Sequence, residues 1–353
     1  MNIKKKNYKK TIEILKSSNL NENYYLQNIY RSGILAKCYD QIERFDKAFF
    51  YFKKNNELVN YYQGKKIDNE IYIKYIKQRI NFFENFDPKK WKDEKVQKDI
   101  TDPIFLIGFP RSGTTLLDTI LRTNSNVDVI EEKPILKNFL IKLEKKTNNK
   151  LDALEYLNND NLREMRLFYF NEREKYKKNL KAHITVDKLP LNIIHVGEIL
   201  RFFPNAKFIF ALRHPYDSVL SCFMQQFELN PAMKNFLSIE SSAYLYDLVM
   251  KLWKIYMKNF SINFHYIKYE EVVINFETTT KEIFNFLSLD WSDKTKDFYI
   301  TAKNRKDIST PSYNQVTSPI YLKSLDRWKN YKDYFKGSKK YLDKWVNEFN
   351  YEI

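Results

Sequence analysis

The stretch Ile104–Thr115, which reads IFLIGFPRSGTT, decides the fold. Its first four residues form an uncharged apolar run, which is typical of a buried strand in a parallel sheet. Gly108 ends this run, and after Gly113 apolar residues recur at helical spacing as far as Leu121. A strand, a tight turn and a helix start in this order predict a loop whose backbone N–H groups and helix dipole bind a phosphate group.

The two glycines of this loop, Gly108 and Gly113, are spaced as in the Walker A loop of nucleoside triphosphatases. The lysine that follows the second glycine in that loop is replaced here by Thr114. Since that lysine acts on the β- and γ-phosphates beside Mg²⁺, its absence argues against a kinase or an ATPase. A glycine-containing structural turn without a ligand is the remaining alternative for this loop.

Short apolar runs downstream alternate with stretches of helical spacing. The runs cover residues 184–186, 208–212 and 262–267, and the helical stretches cover residues 114–122, 193–203 and 241–260. Strands that alternate with helices predict a parallel sheet with helices on both faces. The predicted fold class is therefore α/β, with a parallel sheet of the P-loop type flanked by helices.

A small all-helical region is predicted to precede this sheet. Four of its residues are spaced as in a tetratricopeptide (TPR) helix pair, namely Ala36, Tyr39, Ala48 and Phe52. The turn of such a pair is expected at Phe45-Asp46, and an ordinary helical hairpin is the alternative. The polar segment between Phe86 and Asp102 places the domain boundary, so we expect a TPR-like region over residues 1–99 and a second domain over residues 100–353.

The composition limits the classes of partner. The chain has 353 residues and a net charge of +16, which favours anionic partners, although solvated lysine-rich faces are an equally simple explanation. Basic residues are spread along the chain and form no recognisable nucleic-acid-binding module, so no nucleic acid is expected. No window of about 18 uncharged apolar residues is present, and no membrane span is expected.

The two cysteines, Cys38 and Cys222, lack the C-x-x-C pattern and the histidines that are typical of a zinc site. Residues 1–10 are charged and lack the apolar stretch of a signal peptide. We therefore expect reduced thiols, with a single disulfide as the alternative, no metal and a cytoplasmic protein.

A second anion site is predicted where the expected strand at residues 207–212 runs into Arg213. Ligands of open α/β sheets bind at the carboxyl ends of the strands. A helix is expected from about Tyr216, and Ser221 lies two turns into it. The donor fork of an arginine and a serine hydroxyl suit a terminal phosphate, while a structural ion pair is the alternative for Arg213.

Three motifs resemble those of sulfotransferases that use 3′-phosphoadenosine 5′-phosphosulfate (PAPS). Residues 110–116, PRSGTTL, are similar to the loop that binds the 5′-phosphosulfate, and residues 213–221, RHPYDSVLS, are similar to the 3′-phosphate motif. Residues 186–192, VDKLPLN, resemble a stretch of bacterial TPR-containing sulfotransferases, which are relatives of tyrosylprotein sulfotransferases. The likeness extends over about residues 103–335 and includes Tyr269 and Arg327.

The resemblance implies an enzyme that transfers a sulfonate group from PAPS to an acceptor hydroxyl, releases 3′-phosphoadenosine 5′-phosphate (PAP) and needs no metal. The implied residues for the 5′-phosphosulfate are Arg111, Ser112, Gly113, Thr114 and Thr115. Those implied for the rest of the nucleotide are Arg213, Ser221, Tyr269 and Arg327. The implied catalytic residues are Lys188 and Ser312, which act on the leaving oxygen, and Glu132, the base that takes the acceptor proton.

Three positions differ from the tyrosylprotein relatives. Gln225 stands where those relatives carry a second arginine for the 3′-phosphate, and Arg327 replaces a lysine, but both still offer donors. Pro134 replaces an arginine near the acceptor site, so the acceptor is left open between a tyrosine, a sugar and a small molecule. Glu131 competes with Glu132 for the role of base, because spacing alone does not separate them. Relatives of this kind include dimers, so a homodimer is compatible with the resemblance.

Two other functions are kept as alternatives. A nucleotide-dependent kinase with an altered loop would need Mg²⁺ and an acidic residue after a strand, whereas the strand before Arg213 ends in no acid. A helical-repeat scaffold with an inactive domain would bind no PAPS.

Overall fold

The computed structural model describes residues 7–18, 24–91, 102–305, 316–319 and 324–352. The chain divides into two compact units. The first, the helical unit, comprises Met1–Tyr75, Pro215–Asp247 and Leu325–Ile353. The second, the sheet unit, comprises Ile76–His214 and Leu248–Ser324.

A parallel sheet forms the centre of the sheet unit. Its strands are β1 (Ile104–Gly108), β2 (Val127–Glu131), β3 (Ile184–Lys188), β4 (Lys207–Leu212) and β5 (Asn263–Lys268). They lie in the order β2-β3-β1-β4-β5, and all neighbours pair in parallel. Because crossover connections run between parallel strands, all the loops that follow the strands meet at one edge of the sheet.

The α-helices of the described residues are α1 (Tyr8–Ser17), α2 (Tyr25–Gln41), α3 (Phe45–Val59), α4 (Glu70–Glu84), α5 (Thr114–Leu121), α6 (Ile135–Lys146), α7 (Asn159–Glu174), α8 (Val196–Phe202), α9 (Pro215–Phe223), α10 (Ile239–Asn259), α11 (Tyr269–Ile274), α12 (Phe276–Phe286), α13 (Phe298–Asn304) and α14 (Lys339–Glu348). None of them is long and apolar enough to cross a lipid bilayer.

Both faces of the sheet are covered, as expected. Successive residues of a strand point to opposite faces, and β1 shows this directly. Phe105 stacks on Phe208 at 5.6 Å and packs near Tyr169 of α7. Leu106 belongs to the apolar cluster that includes Leu117 of α5 and residues of α12. The predicted α/β fold with flanking helices is confirmed.

The helical unit contains the hairpin of α2 and α3. Ala36 and Ala48 are fully buried, which agrees with small residues where two helices approach closely. The turn expected at Phe45-Asp46 is wrong, because α3 begins at Phe45 and the chain reverses two residues before it, at Glu43, whose φ is 59°. A helical hairpin is therefore present, and its assignment to the TPR class stays a prediction.

Candidate active site

The loop between β1 and α5 has the geometry of an anion-binding turn. The Ser112 N–H and hydroxyl both donate to the Phe109 carbonyl, at 3.2 and 2.5 Å, which closes the turn. The Gly113 carbonyl accepts from the N–H groups of Leu116 and Leu117, so α5 starts at once. The N–H groups of the first turn of a helix point out of its N-terminus, and those of α5 begin at Thr114.

Gly113 cannot be replaced by a larger residue. Its φ is 95°, in the left-handed region that favours glycine. A Cβ atom at this position would lie 2.8 Å from the ring of Tyr269. The close approach of the Tyr269 ring to the loop therefore depends on the absence of a side chain.

A buried lysine lies between two carboxylates at the ends of β2 and β3. Glu131 and Lys188 are register partners, and the Glu132 N–H extends the ladder by donating to the Lys188 carbonyl at 2.8 Å. The Lys188 Nζ atom lies 3.0 Å from Glu131 Oε1 and 3.0 Å from Glu132 Oε1. Glu132 has a φ of 51°, a turn conformation that ends the strand beside this ammonium group.

Two arginines and an aspartate surround this group. Arg305 Nη2 lies 2.5 Å from Glu131 Oε2, and its Nη1 lies 3.4 Å from Asp118 Oδ2. Arg122 Nε lies 2.5 Å from Asp118 Oδ1. Lys188, Arg305 and Arg122 thus face an equal number of carboxylates, and few of these charges contact water.

The pKa shifts of Glu131 and Lys188 both favour the charged form of the side chain. Burial would raise the pKa of the Glu131 carboxyl, but Lys188 and Arg305 together hold that pKa below its usual value. Burial would lower the pKa of Lys188, but the surrounding carboxylates hold it above its usual value. The pair is therefore ionised at neutral pH.

The two glutamates differ in what their oxygens contact. Glu131 is buried, and each of its oxygens is paired with a cation. Glu132 pairs with Lys188 through Oε1, and its side chain is 36% exposed. Among the described residues no donor hydrogen-bonds to Glu132 Oε2. Glu132 is thus the carboxylate that retains an oxygen able to accept a proton.

Arg213 and Tyr269 join the phosphate loop at the carboxyl edge of the sheet. Arg213 follows β4, donates to the carbonyls of Ser324 and Arg111 at 2.6 and 3.3 Å, and lies 4.8 Å from the centre of the Tyr269 ring. The Tyr269 hydroxyl is 2.7 Å from Ser324 Oγ. Three strand ends, those of β1, β4 and β5, therefore bring predicted donor-binding residues together.

The remaining predicted site residues belong to the helical unit or are not among the described residues. Ser221 is half-buried on α9 of the helical unit. Arg327, in the same unit, pairs with Asp40 of α2 at 2.7 Å, and Tyr331 donates to the other oxygen of Asp40 at 2.7 Å. Ser312 lies outside the described residues.

Sequence reasoning missed three members of the charged group. Asp118 carried a usable signal, because it is the one charged residue of α5 and a buried carboxylate requires a cation. Arg122 follows at the helical spacing of an ion pair, which supports the same inference. Arg305 had no such signal, since an isolated arginine after a helix belongs to no pattern.

Comparison with known proteins gives one family. The sequence profile described as the sulfotransferase family matches residues 103–293, more than half of the chain. A protein-tyrosine sulfotransferase of Drosophila melanogaster is 24% identical, with 64% of this chain and 46% of the fly protein covered. Protein-tyrosine sulfotransferase 2 of Gallus gallus is also 24% identical, with 64% of this chain and 62% of the chicken protein covered.

A longer match exists to an Aquifex aeolicus protein described only as uncharacterized. It is 27% identical, with 85% of this chain and 39% of that protein covered. The chain thus spans about two fifths to three fifths of the length of these relatives. A solved sulfotransferase domain from the curacin biosynthetic pathway is 17% identical with a TM-score of 0.48, and the match covers 72% of this chain and 99% of that domain.

Proposed function

Because the chain belongs to the sulfotransferase family, we propose that it is an enzyme that transfers a sulfonate group from PAPS to an acceptor hydroxyl. When bound, PAPS supplies the sulfonate group and a phosphate as leaving group. The protein must position the acceptor and the donor in line and must place charged and polar groups beside the reacting oxygens.

The residues at the carboxyl edge of the sheet fit such a donor. The first-turn amides of α5 offer uncharged donors for the 5′-phosphosulfate, within residues Arg111–Thr115. Arg213 offers a guanidinium for the 3′-phosphate, and the Tyr269 ring offers an apolar surface for the base. Ser221 and Arg327 complete the proposed nucleotide contacts.

Metal-free binding is part of the proposal. Across the part of the chain that the structure describes, no group of three or more His, Cys, Asp or Glu side chains is arranged to hold a metal ion. Cationic side chains and helix amides can neutralise the anion in its place.

One observation carries the assignment of the transfer step, namely the Glu132 oxygen that has no donor among the described residues, beside a buried ammonium group. Glu132 would accept the proton of the acceptor hydroxyl, since a neutral hydroxyl is a poor nucleophile. Lys188 would donate to the oxygen that leaves, and Ser312 would assist it.

The names of the fly and chicken relatives make a tyrosine hydroxyl the first acceptor to test, ahead of sugars and small molecules. Cys38 and Cys222 are buried and are not joined in a disulfide, which supports a reducing compartment such as the cytoplasm. A homodimer stays a prediction.

The proposal is tested with PAP in the presence of EDTA. PAP at 100 times its Kd should stabilise the protein by about 2.7 kcal/mol, measured as a rise in Tm, because it binds the folded state alone. Labelled PAPS is then incubated with tyrosine-containing peptides and with host extract, and the labelled product is identified. Stabilisation by ATP with Mg²⁺ but not by PAP would favour the kinase alternative. Stabilisation by neither nucleotide would favour an inactive scaffold.

A further inference from the structure

Arg305 is, with Arg122, one of two described cations of the charged group that have no predicted role, and Arg305 is the one that contacts Glu131 directly. It follows the last residue of α13, and only 16% of its side chain is exposed. Its shorter contact, at 2.5 Å, is with Glu131, while its contact with Asp118 is 3.4 Å long. Asp118 already has Arg122 at 2.5 Å. The main partner of Arg305 is therefore Glu131.

The charges around Lys188 show what this contact does. Without Arg305, the single ammonium of Lys188 would face two carboxylates, Glu131 and Glu132, each at 3.0 Å. A buried carboxylate that has no cation of its own is strongly unfavourable. Lys188 would then be held by Glu131 and could not turn toward a reacting oxygen without leaving that charge unpaired.

Arg305 removes this conflict because it neutralises Glu131 from the opposite side, at Oε2. We propose that Arg305 is a positioning residue, which pairs with Glu131 so that Lys188 and Glu132 stay available to the reacting oxygens. The inference rests on the proposed transfer function. In this inference Glu131 has a supporting role, which depends on its pair with Arg305, 174 positions away in sequence.

The test uses a cycle of variants of the full chain: Arg305→Gln, Glu131→Gln, the double variant and Arg305→Lys. Turnover is measured with labelled PAPS and the acceptor fraction that takes up label in the experiment above. Arg305→Gln should lower kcat by about 10- to 100-fold, since small displacements of reacting groups cost up to about 10²-fold, and KM for PAPS should change little.

The pH profile gives a readout that a structural role would not move. Glu131 is faced by Lys188 from β3, by Arg305 after α13 and by Arg122 after α5, with Glu132 and Asp118 as neighbouring carboxylates. Loss of the Arg305 charge removes one of the cations that hold the pKa of the Glu131 carboxyl below its usual value, so that pKa should rise. Because Glu131 then takes up a proton at higher pH than in the wild type, the acidic limb of the kcat profile of Arg305→Gln should move to higher pH.

Rescue distinguishes charge neutralisation from packing. In the double variant Glu131 no longer carries a charge, so most of the lost turnover and the wild-type acidic limb should return. Arg305→Lys should retain more turnover than Arg305→Gln. The matched control is Arg166→Gln, which breaks another buried pair of the sheet unit, with Asp102 at 2.9 Å. It should lower Tm without moving the pH profile.

A double variant no better than Arg305→Gln, or an unchanged acidic limb, would overturn the positioning role. In the stability cycle, additive losses of Tm for Arg305→Gln and Glu131→Gln would also count against it, because a direct pair should couple. If wild-type protein neither binds PAP nor transfers label, the proposed function itself fails, which is a separate result from failure of the rescue.

Discussion

At the scale of single residues, the structure separates two adjacent glutamates that their spacing does not. Glu132→Gln should lower kcat by about 10²- to 10⁴-fold, the usual contribution of a positioned base. PAP affinity should stay near the wild-type value, because the proposed role of this carboxylate is toward the acceptor. Glu131→Gln should have a small effect, since its charge is already neutralised by Lys188 and Arg305.

Turnover, PAP affinity and Tm are measured on both variants. If Glu131→Gln abolishes turnover and Glu132→Gln does not, the base is the buried residue and the assignment is off by one position. If Glu132→Gln lowers Tm but keeps full turnover, the Glu132 carboxylate only holds Lys188 in place and is not the base.

Asp187, the neighbour of Lys188 on β3, gives a prediction about pH. It is almost fully buried, its Oδ2 accepts from the Tyr169 hydroxyl at 3.1 Å, and its Oδ1 has no partner among the described residues. Burial raises the pKa of this carboxyl to about 7 from 3.8. The folded chain therefore keeps a proton that the unfolded chain loses, so this stability is complete at low pH and is lost as pH rises through about 7.

Between pH 3.8 and about 7, the free energy of unfolding of the wild type should fall by about 4 kcal/mol through this group. Asp187→Asn should remove the loss and unfold at higher denaturant concentration at pH 8. Asp128→Asn is the control, because Asp128 on β2 is also buried and accepts a bond from the Lys178 N–H at 2.9 Å; it should not unfold at a higher denaturant concentration than the wild type at pH 8. Equal slopes in Asp187→Asn and wild type would mean that the buried carboxyl is already ionised at neutral pH.

At the scale of elements, β1, β3 and β4 were predictable because each contains an uncharged run of apolar and β-branched residues, whereas β2 carries Asp128 and Glu131 and has no such run. The carboxyl ends of the strands, where charged residues follow the apolar run, were harder to predict. The apolar run covers only residues 184–186, whereas β3 continues to Lys188, which lies opposite Glu131 of β2. Strand order was not predictable, since β3 inserts between β1 and β2 through packing of helices that leaves no local pattern.

The hairpin of α2 and α3 gives a prediction at the same scale. Asp40 of α2 holds Arg327 at 2.7 Å, and Arg327 is proposed to contact the nucleotide. Asp40→Asn should therefore weaken PAP binding about 3- to 10-fold, because a charge-assisted hydrogen bond contributes about 1.5–3 kcal/mol and Asn retains part of it.

Tyr331→Phe is the matched variant, because it removes the other hydrogen bond of Asp40 and leaves its pair with Arg327 intact. It should lower Tm and leave PAP affinity unchanged. The PAP affinities of both variants are measured by calorimetric titration. Equal affinities in Asp40→Asn and Tyr331→Phe would mean that Arg327 does not contact the nucleotide.

At the scale of the whole molecule, the two compact units are each assembled from stretches that lie far apart in sequence. A boundary read from composition cannot detect this, because pairings between distant helices leave no change in local composition. The predicted boundary near residue 99 falls within residues 92–101, outside the described ranges, so the division into residues 1–99 and 100–353 stays a prediction.

The contacts within each unit show what residues before 100 contribute. In the helical unit, Phe49 of α3 stacks on Tyr334 at 3.6 Å and on Phe223 at 5.2 Å. In the sheet unit, Arg79 of α4 pairs with the buried Glu198 at 2.6 Å. Each unit therefore uses side chains from the first 99 residues to complete its own interior.

Removal of residues 1–99 should consequently prevent cooperative folding. Loss of Arg79 alone leaves Glu198 without its cation, which costs about 3–5 kcal/mol, and loss of Phe49 exposes the aromatic rings it covers. Whole proteins are stable by only about 5–15 kcal/mol, so these losses together approach the total. Circular dichroism melts and PAP binding are compared with those of a chain that lacks residues 1–18, which removes α1 and should still melt cooperatively. If the chain of residues 100–353 melts near the wild-type Tm and binds PAP, the helices before residue 100 form an accessory domain and the interior contacts described above are dispensable.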